Sequence, residues 1–79
     1  MIIHLCPEVY VVKNGFHAAV STVKLAAFGF TREEAIEELK SGVMAWYKAL
    51  NKQGRILPAL QKAGLSWTDD ESYLTIDVS

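Results

Sequence analysis

Residues 31–52 constrain the fold more than any other stretch of the chain. Thr31, Arg32, Glu33 and Glu34 form a capping box: the Thr31 hydroxyl can accept from the Glu34 amide, and the Glu34 carboxylate can reach back to the Thr31 amide. From there Ala35, Ile36, Leu39, Val43, Trp46, Tyr47 and Leu50 follow i, i+3, i+4, i+7 spacing, while Glu33, Glu37, Glu38, Lys40, Ser41 and Lys48 take the other side. Acids in the first turn and Lys48 and Lys52 in the last oppose the helix macrodipole favourably, and Gly54 supplies a left-handed stop. The pattern predicts an amphipathic helix over 32–52 whose apolar stripe packs on a sheet.

The sheet has to come from the segments on either side. Residues 2–12 are mostly β-branched or aromatic, with Pro7 breaking the run, because a proline cannot donate to a ladder. Asn14 and Gly15 then stand between two strand-like segments, the signature of a type I′ hairpin. A two-residue loop there puts Lys13 opposite Phe16, Val11 opposite Ala18 and Val9 opposite Val20. One face then carries Val9, Val11, Phe16, Ala18 and Val20 and meets the helix. The other carries Tyr10, Val12, His17, Ala19 and Ser21, too apolar for water and too polar for a second core, which marks it as a contact surface.

A third apolar run over 24–30 reads as a further strand whose register the sequence does not fix. After the long helix, Pro58 fits the first turn of a short second helix through Ala63, stopped by Gly64 with Leu65 behind it. Residues 66–72 read as a polar, acidic connection around Trp67, an aromatic that either clamps the core edge or anchors a partner. Residues 73–78 alternate strictly, so Leu74, Ile76 and Val78 face the core from a last strand. The expectation is one α+β domain over 1–79, in β-β-β-α-β order with a short extra helix. Its sheet is three- to four-stranded and mainly antiparallel.

Composition narrows the function classes. A chain of 79 residues with 51% hydrophobic content holds more apolar surface than one small core covers, which favours a homodimer or larger homo-oligomer. Net charge of -1, with scattered lysines and arginines, gives no field for phosphate backbones, so direct nucleic-acid binding is not expected. A lone cysteine, no signal-peptide pattern and no apolar run long enough to cross a bilayer give the expectation of a cytoplasmic chain without a membrane segment.

No arrangement of residues reads as catalytic. His4 and His17 sit in strand-like segments without Cys, Asp or Glu at ligand spacing, and Cys6, between Leu5 and Pro7, reads as a small core hydrophobe. Asp69, Asp70 and Glu71 lack the alternation and glycine of a calcium loop and read as a solvated turn. There is no Ser-His-Asp order, phosphate loop or paired CxxC. The expectation is a non-enzyme with no cofactor and no metal, whose candidate partner-binding residues are Tyr10, Val12, His17, Ala19 and Trp67.

The stretch from Phe16 to Ile36 resembles the N-terminal domain of the HicB antitoxin family, where a hairpin leads through a third strand to a Gly-x-Thr-x-x-Glu-Ala helix start. Gly29, Thr31, Glu34 and Ala35 carry the match, followed by Ile36, Leu39 and Tyr47, and the likeness extends over roughly residues 2–53. The family's Pro-Gly-Cys turn before the third strand is replaced here by Lys24, Leu25 and Ala26. Nor does any stretch fit the helix-turn-helix or ribbon-helix-helix module with which many relatives bind DNA. What the resemblance implies is a partial RNase H-like fold without nuclease activity. It further implies a protein that neutralises a small, basic HicA-type mRNA interferase by covering its surface; the high apolar share fits equally a stand-alone homo-oligomeric regulatory or ligand-binding domain with no toxin partner.

Overall fold

A computed structural model gives the fold and describes residues 1–69 and 74–78. Asp70, Glu71, Ser72, Tyr73 and Ser79 lie outside the described residues, and with them most of the acidic turn read from the sequence. The elements are β1 (Ile2–Leu5), β2 (Glu8–Val12), β3 (Gly15–Val20), β4 (Leu25–Gly29), α1 (Arg32–Lys52), α2 (Ile56–Ala63), β5 (Ser66–Thr68) and β6 (Thr75–Val78). A 3-10 turn at Ser21–Val23 joins β3 to β4.

The chain is α+β, but its strands divide into two three-stranded sheets, ordered β5-β1-β6 and β2-β3-β4. Pro7 is the reason: the run over 2–12 stops pairing at Cys6 and Pro7, so its two halves belong to different sheets. Pairing is antiparallel except between β1 and β6, where Ile3 lies beside Ile76 and Leu5 beside Val78 in parallel register. Residues 66–68, read from the sequence as part of a connection, form β5 instead and pair with β1, Trp67 opposite Ile3.

The hairpin departs from the expected turn. Val12 pairs with Gly15, so the two-residue loop is Lys13 and Asn14, and neither takes the positive φ of a type I′ turn. Gly15 is held in the strand because space there is short: a Cβ would come 2.3 Å from the Gly29 carbonyl oxygen and 2.9 Å from the Phe28 ring. The register therefore slides by two, Val11 facing Phe16 and Val9 facing Ala18. A slide of two keeps side-chain parity, so the division of residues between the faces stands.

Both sheets rest on one core. Ile3 and Leu5 from β1, Ala18 and Val20 from β3, Ala35, Leu39 and Val43 from α1, Ile56 and Leu60 from α2, and Ile76 from β6 are all buried together. Trp46, Tyr47, Leu50, Leu65 and Trp67 pack around them. The cap of α1 forms as the sequence suggests on one side, with the Glu34 amide donating to the Thr31 hydroxyl at 3.1 Å. On the other side the Glu34 carboxylate accepts from the Phe30 amide at 3.0 Å, not from Thr31. Gly64 closes α2 in the left-handed region at φ 68°, and the Leu65 amide donates back to Leu60. Cys6 is exposed, not buried: Leu5 points inward and its neighbour, in the break between strands, points out.

Candidate functional site

The outer face of β2-β3-β4 has no helix or strand over it among the described residues. Register places Tyr10, His17 and Phe28 in one row across the three strands, and Glu8, Ala19 and Ala26 in the next. Val12 stands beyond Tyr10, opposite Gly15. Tyr10 is 48% exposed, Phe28 45% and Phe30, just past the end of β4, 73%. The structure thus brings Tyr10, Val12, His17 and Ala19 onto one surface and adds Phe28 and Phe30 to it.

The rings are organised. Tyr10 stacks on His17 with centroids 6.1 Å apart, and Phe28 meets Phe30 edge to face at 5.5 Å. Gly15 lets the Phe28 ring lie over the neighbouring strand, since any side chain there would lift it away. The Tyr10 hydroxyl donates to the Glu8 carboxylate. That bond, reinforced by the carboxylate's charge and slight desolvation, raises the phenol above its ordinary pKa.

At the β4 end the surface turns into a groove of ≈ 390 Å³ lined by Phe28, Gly29 and Phe30 on one side and Glu33, Glu34, Glu37 and Glu38 on the other. Glu34 is committed to the cap and Glu37 lies 3.5 Å from Lys40. An apolar, aromatic patch bordered by carboxylates is suited to a partner with both apolar and cationic groups.

Trp67 does not join this surface. It lies in β5, in the other sheet, half-buried opposite Ile3 and packed against the core. That is the clamp alternative of the two read from the sequence. Sequence reading missed Phe28 and Phe30 because the register of 24–30 was open, although Leu25 and Ala27 alternate with Ala26 and Phe28 in a way that separates the faces.

His4 makes a separate polar cluster on the outer face of β5-β1-β6. Its Nδ1 is 3.2 Å from the Asp77 carboxylate and its Nε2 2.9 Å from the Thr68 hydroxyl. Nδ1–H donating to Asp77 with Nε2 accepting from Thr68 satisfies all three groups and ties the three strands together. Among the described residues no group of three or more His, Cys, Asp or Glu is placed to hold a metal ion. No helix among them is long and apolar enough to cross a membrane. No family model, curated protein or solved structure matches this chain.

Proposed function

We propose that this chain is a non-catalytic protein-binding module that uses the outer face of β2-β3-β4 to cover a small basic partner. In this reading it acts as HicB-type antitoxins do on HicA-type mRNA interferases. The observation that carries the reading is the uncovered row of Tyr10, His17 and Phe28, extended by Val12 and Phe30. Soluble domains seldom leave so many large apolar groups adjacent without a use for them. The carboxylates beside Phe28 and Phe30 favour a cationic partner, and the run β2-β3-β4-α1, with its capped helix, is in keeping with the resemblance.

The reading requires a short basic protein encoded beside this chain, and the test is co-expression with it. Induction of that protein alone should arrest growth and cleave mRNA, and this chain should relieve the arrest by forming a complex. Tyr10→Glu combined with Phe28→Glu should abolish relief while leaving the circular dichroism of the free chain unchanged. A neighbour that causes no arrest, or relief that survives the double substitution, would overturn the proposal.

A further inference from the structure

The free edge of β2 carries an inference that stands whether or not a basic partner exists. We infer that β2 pairs with β2 of a second copy, antiparallel and about a two-fold axis, joining two β2-β3-β4 sheets edge to edge.

Among the described residues no strand lies on the far side of β2 from β3. Natural edge strands are protected by prolines, bulges or inward-pointing charges, and the segment Glu8, Val9, Tyr10, Val11, Val12 has none of these within its length. Val12 and Gly15 close a two-residue loop, so Val12, Tyr10 and Glu8 turn their backbone groups toward β3. Val9 and Val11 therefore turn theirs outward.

An axis through Tyr10 is the register that uses the whole strand. Val9 of each copy then faces Val11 of the other, and the outward N–H and C=O groups of both pairs are satisfied. Two further features fit the same register. Val11 is 80% exposed despite lying on the helix side of the sheet, and this pairing covers it with Val9 of the second copy. The two Tyr10 side chains meet directly on the open face.

A two-fold axis normal to the sheet keeps both open faces on the same side. The row becomes Phe28, His17, Tyr10, Tyr10, His17, Phe28, one surface across six strands. The dimer would present twice the contact area of a single copy to any partner.

Sedimentation of the full chain over a wide concentration range tests this. The wild-type mass should rise to that of a dimer. Val11→Pro removes an outward N–H without touching β3 and should leave a folded monomer. Tyr10→Lys and Tyr10→Glu should each weaken dimerisation, by about tenfold or more, because the axis sets two like charges directly opposite on the open face. Mixing the two variants in equal amounts should restore it, because the heterodimer sets a Lys against a Glu. This rescue keeps the test decisive even if Val11→Pro fails to fold. A wild-type chain that stays monomeric, a folded Val11→Pro that still dimerises, or a mixture no tighter than its components would overturn the inference.

Discussion

Gly15 has no side chain, yet it decides how the surface is built. Asn14 and Gly15 carry the strongest local hairpin signal in the chain, and local propensity places the turn on them. The space under Phe28 and beside the Gly29 carbonyl takes Gly15 for the strand instead. That contact is between residues far enough apart in sequence to be invisible to a turn rule. Which residues share a face was legible, because period-two alternation survives a slide of two; the loop was not. Tyr10 gives the residue-scale prediction. Its phenol titrates above the ordinary tyrosine value because deprotonation would break the bond to Glu8 and place two anions together. A raised folded value means the contact contributes below the ordinary pKa and is lost as pH rises through the raised one. Phenolate absorbance should therefore include a late-titrating component from Tyr10, and Glu8→Gln should bring that midpoint down. An unchanged curve in that variant would mean the bond does not persist in solution.

At the scale of elements the helix was legible and the sheets were not. Everything that defines α1 lies within 22 residues: the Thr31 cap, the apolar spacing and the Lys52 end. Strand partners answer to distant residues. β1 takes β6 on one side and β5 on the other, pairings that join the two ends of the chain. Nothing in a polar segment such as Ser66–Thr68 announces that it will pair. The cap gives a measurable prediction at this scale. Thr31→Ala removes the acceptor for the Glu34 amide and should lower stability by about 1 kcal/mol in urea unfolding. Thr31→Ser keeps the hydroxyl and should recover most of the loss. Equal destabilisation by both would assign the effect to the Thr31 methyl group instead of to the cap.

For the whole molecule, two sheets that share no ladder share one core, and the question is whether they unfold as one. Leu39, 1% exposed near the middle of α1, belongs to the same buried cluster as Ile3 and Leu5 of one sheet and Ala18 and Val20 of the other. Leu39→Ala leaves a cavity between them, and such truncations cost about 2–5 kcal/mol. Domains of this size hold roughly 5–15 kcal/mol in all, so the variant should unfold at much lower denaturant. The informative measurement follows each sheet separately. In a Trp46→Phe background, Trp67 fluorescence reports β5-β1-β6, while the ring proton signals of His17 report β2-β3-β4. A shared core requires both signals to shift together in Leu39→Ala and to keep coincident midpoints. If His17 kept its native signals where Trp67 had lost them, the hairpin sheet would be an independent unit. Its open face could then be presented without the rest of the molecule, which the placement of Ala18 and Val20 beneath Leu39 argues against.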